Sequence, residues 1–150
     1  MGVIRQRVTQ SAADTATAVQ LPLVALDGKS GYEIKGMEVL LTNGVSLPAS
    51  DWQINAKLLT ANGTYTFSDD EVICEIDWGF ANVAGVAIGN MIEIQKEKFL
   101  MESRITVQPQ IFVQLSSVVT GLVMVADFRV YYDLVKLTEL EYLRMLTGGA

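Results

Sequence analysis

Glu75 and Asp77 stand two residues apart in a segment that alternates cleanly, so both carboxylates face the same side of a strand. Paired carboxyl groups about 5 Å apart are the working parts of a retaining glycosidase, one as nucleophile and one as acid/base. Asp69, Asp70 and Glu71 run together just upstream, and such oxygen donors could help hold calcium. At a loop-to-strand corner, three adjacent acids are more simply a solvated turn. Gly28-Lys29-Ser30 ends like a phosphate-binding loop, but the earlier glycine that this loop requires falls on Leu23, and no strand-then-helix context surrounds it. It reads as a turn. Asn62-Gly63-Thr64 fits a glycosylation sequon and fits better the two positive-φ positions of a tight hairpin. The chain has no histidine, so the commonest general base and metal ligand is missing and Ser-His chemistry is impossible. The one cysteine, Cys74, cannot form an internal disulfide and alternates with Val72 and Ile76 as a small buried hydrophobe would. Trp52 and Trp78 could stack sugars or bases, but their strand positions favour packing. No cofactor and no metal site is expected.

The rest of the composition points the same way. One hundred and fifty residues, half of them hydrophobic, make one domain with a sizeable core. A formal charge of -6 argues against a basic face for nucleic acid, and no sequence-specific nucleic-acid binding is expected. Arg5 and Arg7 read as strand-edge charges. No apolar h-region opens the chain, and the longest apolar run, Val118 to Ala126, is broken by Thr120 and Gly121. It falls short of the ~20 residues that span a bilayer. A soluble protein is expected, or one that meets a membrane only at its surface.

The elements that would position these residues are strands. Period-two segments recur about every ten residues, divided by turn residues, which is the pattern of a sandwich or barrel. They run over Val3–Thr9, Ala16–Leu26 with Pro22 inside, Tyr32–Thr42, Trp52–Ala61, Glu71–Phe80, Met91–Phe99, Ile105–Leu115 and Leu122–Leu137. Thr64–Phe67 would pair back across Asn62-Gly63 as a ninth. In the Glu71–Phe80 strand, Val72, Cys74, Ile76, Trp78 and Phe80 should face inward, with Glu71, Ile73, Glu75 and Asp77 outward. In Leu122–Leu137, Leu122, Met124, Ala126, Phe128, Val130, Tyr132 and Leu134 share one face; Val123, Val125, Asp127, Arg129, Tyr131, Asp133 and Val135 share the other. Thr138 and Glu141 form a capping box that should open a short helix carrying Leu140, Leu143 and Met145. The expectation is an all-β fold: one antiparallel eight-stranded jelly-roll sandwich over residues 1–150, with 1–15 as an N-terminal arm or strand and 138–150 as a C-terminal helix and tail. An immunoglobulin-like sandwich is the alternative, although the Cys…Trp…Cys signature is missing.

Two family resemblances bear on function. Glu75-Ile76-Asp77-Trp78 resembles the E-I-D-x-x-E strand of the laminarinase-like glycoside hydrolases, which are themselves jelly-roll sandwiches. In that family the first Glu is the nucleophile, the Asp assists it and the last Glu is the acid/base. Glu75 and Asp77 match the first two, but Phe80 stands at the third. With the acid missing, the chain is expected not to be an enzyme. From Ala16 to Leu137, the strand pattern and wide apolar content resemble the single jelly-roll capsid proteins of icosahedral viruses, especially tailless DNA viruses with upright capsomers. That resemblance implies a self-assembling shell subunit of the virion, assembled in the host cytoplasm. Its partners would be copies of itself, other capsid proteins and an internal membrane surface. A carbohydrate-binding sandwich, or a phage fibre or decoration module, is the alternative.

The apolar surplus leads to the same place. Ala81 to Ile88 is an almost uncharged loop, and the helix after Thr138 carries an apolar stripe. A monomer does not leave such patches exposed. Either the loop forms a short helix that caps the sandwich or it meets another subunit, and on the second reading Val83, Val86, Ile88, Leu140, Leu143 and Met145 are the candidate subunit interface.

Overall fold

The computed structural model describes residues 2–23, 29–42, 52–66, 68–82, 91–98, 104–107 and 110–147. Among them are nine strands and one helix: β1 (Gly2–Thr9), β2 (Ala16–Gln20), β3 (Ser30–Leu41), β4 (Trp52–Leu59), β5 (Val72–Asn82), β6 (Met91–Lys98), β7 (Arg104–Thr106), β8 (Phe112–Val118), β9 (Val125–Lys136) and α1 (Glu139–Leu146). They form an all-β sandwich. One sheet has the order β1-β9-β3-β7 and the other β2-β8-β4-β5-β6, with every pairing antiparallel. The pairings are nested: β1 with β9, β2 with β8, β3 with β7, and β4 with β5. The residues expected to form an N-terminal arm or strand include β1, paired along its whole length with β9.

Alternation fixes which faces meet. Ile4 and Val8 of β1, Tyr32 and Ile34 of β3, and Ala126, Phe128 and Val130 of β9 come from one sheet. They pack on Ile54, Ala56 and Leu58 of β4 and Val113 and Leu115 of β8 from the other. The Tyr32 ring meets Tyr132 edge-on at 5.6 Å between centroids. In β9 the expected inward set is buried from Met124 to Val130, but Leu134 at the far end is exposed.

Two β-bulges change the parity of the pattern. In β3 the register against β9 shifts between Ile34 and Gly36, so Tyr32 and Ile34 face the core before it and Met37, Val39 and Leu41 after it. That shift leaves Leu40 exposed. In β5, Leu58 pairs with Cys74 but Leu59 pairs with Val72, which leaves Ile73 as the extra residue. Ile73 joins the core beside Cys74, while Val72 is buried outside that cluster. The inward and outward assignments of those two residues are thus exchanged.

Three strand expectations are also corrected. The Ala16–Leu26 strand ends at Gln20, two residues before Pro22, which has no N–H for a ladder. Ile105–Leu115 is two strands in different sheets, β7 and β8, and Pro109 lies in the interval where the chain changes sheet. Thr64–Thr66 is not a strand, and Phe67 lies outside the described residues. Instead of pairing back, this segment is held over the second sheet by side chains. Lys57 Nζ donates to the Tyr65 carbonyl at 2.5 Å and Gln114 Nε2 to the Gly63 carbonyl at 3.1 Å.

Candidate functional site: a groove on the outer face of the second sheet

On that outer face β4 runs between β5 and β8, with Asn55 opposite Asp77 and Lys57 opposite Glu75. Gln53 faces Gly79, which brings no side chain, and Ser116 lies beside Asn55 on β8. These small groups leave a groove of about 270 Å³ lined by Gln53, Asn55, Glu75, Asp77, Ser116 and Val118. Trp78, which packs against the core, borders it.

Asn55 is the hinge of the site. Its Nδ2 donates to Glu75 Oε1 and to Asp77 Oδ1 at once. Glu75 is only 4% exposed, and its Oε2 is buried without a hydrogen-bond partner, as is Asn55 Oδ1. Lys57 offsets the charge across the strands but spends its Nζ on Tyr65. Burial pushes the Glu75 carboxyl above the usual carboxylate range. The Asn55 hydrogen bond and the Lys57 charge oppose that shift, and the Asp77 charge and a hydrogen bond between the two carboxyl groups add to it.

A second polar cluster ties two turns together at one end of the sandwich. Asp14, at φ 55°, accepts from Thr120 N at 2.7 Å, Thr120 Oγ1 at 2.9 Å and Gly121 N at 3.0 Å. These bonds, led by that from the Thr120 backbone, hold its carboxyl below the usual range. Buried Gln10 donates to the Thr15 carbonyl and to Ser117 Oγ, and its Oε1 accepts from Met124 N. The clamp holds Val119 at φ 59°, unusual for a β-branched residue. It also holds Val118, Val119 and Val123 exposed.

The residues singled out in the sequence are dispersed. Glu75 and Asp77 come together, with Asn55 between them. Asp69 closes a turn by accepting from Thr66 N and Oγ1, and the Asp70 carbonyl accepts from Arg104. Among the described residues no three His, Cys, Asp or Glu side chains group as metal ligands. Lys29 and Ser30 lead straight into β3, so no helix follows them. Val83, Val86 and Ile88 lie outside the described residues. The capping box forms, with Glu141 N donating to Thr138 Oγ1 and Thr138 N to Glu141 Oε2. The helix it opens has no buried residue. Leu140, Leu143 and Leu146 are 59%, 49% and 47% exposed, and Met145 is half-buried. Among the described residues no helix is long and apolar enough to cross a membrane.

Comparison adds no relative. No protein-family model matches the chain, and no curated protein matches it significantly. Function therefore rests on the site and the surface.

Asn55 and the Asp14 clamp were not singled out in the sequence. Alternation put Asn55 on the face of Gln53 and Lys57, but only register places it between two acids. Asp14 and Thr120 are 106 residues apart, and no local pattern joins them.

Proposed function

We propose that this protein is a structural subunit that self-assembles into a closed shell: a single jelly-roll capsid protein of a virion. The observation that carries the proposal is α1, a well-capped helix with three exposed leucines and no buried residue. A helix gains most of its stability in proteins from packing an apolar face, and among the described residues this one buries no side chain fully. The jelly-roll part of the reading is supported by the strand orders. Nested pairs divided between β1-β9-β3-β7 and β2-β8-β4-β5 are what one long hairpin makes when it wraps into two Greek keys, and β6 is an added edge strand.

The placement of apolar surface supports assembly as well. The clamped Val118, Val119 and Val123 precede β9, and the helix follows it. Twelve residues of strand separate the two patches by roughly 40 Å. Patches at opposite ends of a subunit suit heterologous contacts, which close into rings and shells when the rotation allows. The partners are other copies and other shell proteins, over an internal membrane surface where one is present.

The test changes both leucines, Leu140→Glu with Leu143→Glu, keeping Thr138 and Glu141. The expected result is loss of high-mass particles with an unchanged β-sheet circular dichroism spectrum. Particles that form as before would overturn the role of the helix.

A further inference from the structure

The groove on β4, β5 and β8 holds two buried oxygens that none of the donors around it reaches. Glu75 Oε2 and Asn55 Oδ1 are buried and unpartnered, and buried polar atoms normally find a partner. The oxygens of Glu75 and Asp77 that share Asn55 Nδ2 must lie within roughly 5–6 Å of each other, being in hydrogen-bond reach of one nitrogen. A calcium ion holds oxygens at ~2.3–2.6 Å and so bridges about 5 Å. One ion fits the span that the amide nitrogen now bridges.

We propose that this groove binds a single hard divalent cation, calcium in preference to magnesium, through the carboxylates of Glu75 and Asp77 and the carbonyl oxygen of Asn55. On binding, the Asn55 amide turns over and draws back, so that Oδ1 faces the ion that takes the place of Nδ2. Water in the groove completes the shell. The donor set is all oxygen, which selects a hard cation over a soft one. Magnesium demands near-ideal octahedral geometry and gives up water reluctantly, whereas calcium tolerates an irregular mixed shell. A guanidinium or ammonium group from another chain suits the site less well, because Glu75 is only 4% exposed and a bulky side chain reaches an enclosed carboxylate less readily than a small ion does. The inference does not rest on shell assembly.

The probe is terbium, a luminescent substitute for calcium, added to the full chain. Trp78 borders the groove and should sensitise its emission. Saturable emission is expected, displaced by calcium at about 10⁻⁴–10⁻³ M, the range of weak protein sites. Calcium should also raise the melting temperature. Glu75→Gln and Asp77→Asn should each weaken terbium binding by more than about tenfold while circular dichroism stays unchanged. Should one variant fail to fold, the other carries the test; should both fail, the calcium-induced rise in melting temperature of the wild type carries it. Asp69→Asn with Asp70→Asn should leave binding intact. Absence of saturable emission and of a calcium-induced rise would overturn the site. So would emission that survives both groove variants, or that is lost only with Asp69 and Asp70. Magnesium displacing terbium as well as calcium does would overturn the preference.

Discussion

The two outer faces of the sandwich are both polar, yet they handle charge in opposite ways. On the β1-β9-β3-β7 face, acids meet bases within and across strands. Arg7 clasps Asp127 through two bonds of 2.6 and 2.8 Å, Lys35 pairs with Glu33 at 2.9 Å, and Tyr131 and Arg129 both reach Glu38. These groups are largely solvated, so each pair contributes little. On the β4-β5-β8 face, acid stands beside acid, one of them buried, with a neutral amide as the shared donor. The first face is compensated and needs no ligand. The second is polar, partly roofed by the 60–66 segment and leaves two buried oxygens unpartnered, which is the condition of a binding surface rather than a solvated one.

The largest predicted effect removes the shared donor. Asn55→Ala should cost about 2–3 kcal/mol at neutral pH in urea denaturation, as expected for a lost hydrogen bond to a buried charge. A loss no larger than that of a surface ion pair would erase the contrast between the faces. Smaller and opposite in sign is Glu75→Gln, which without added cation should stabilise the chain by about 1 kcal/mol at pH 7. The sign follows from the raised carboxyl. The folded state holds that proton more tightly than the unfolded chain, so wild-type stability falls as pH rises from the ordinary carboxylate range through the raised value. The advantage of glutamine should therefore vanish in acid. A pH-independent gain would mean that packing, not charge, is responsible. The smallest effect belongs to the other face. Arg7→Ala should barely move the melting temperature, and added salt should abolish what remains. A large, salt-resistant loss would show that this face is not simply solvated.

Much of the strand content was legible because alternation is local. The capping box of Thr138 and Glu141 was legible for the same reason, four residues sufficing to write it. What escaped depends on pairing. The bulges at Lys35 and Ile73 reverse parity within a strand, and nothing in the alternation of Val72 to Trp78 marks the extra residue. Pro109 falls in the interval between β7 and β8, but the apolar residues on either side of Gln108-Pro109-Gln110 read as one strand. Asn62-Gly63 has the composition of a hairpin turn, yet the strand that follows β4 in the ladder is β5, and Lys57 and Gln114 hold the intervening backbone instead. Glu75 and Asp77 were visible as a same-face pair. Their environment was not, because Asn55 arrives from 20 residues away and the burial of Glu75 depends on the whole sheet.

Native mass tests the central claim, that this chain is built to associate with itself, most directly. Sedimentation velocity of the purified wild type over a wide concentration range should show large closed particles many times the 16.4 kDa chain mass, with few small intermediates at high concentration. A single species of 16.4 kDa at every concentration would contradict the account.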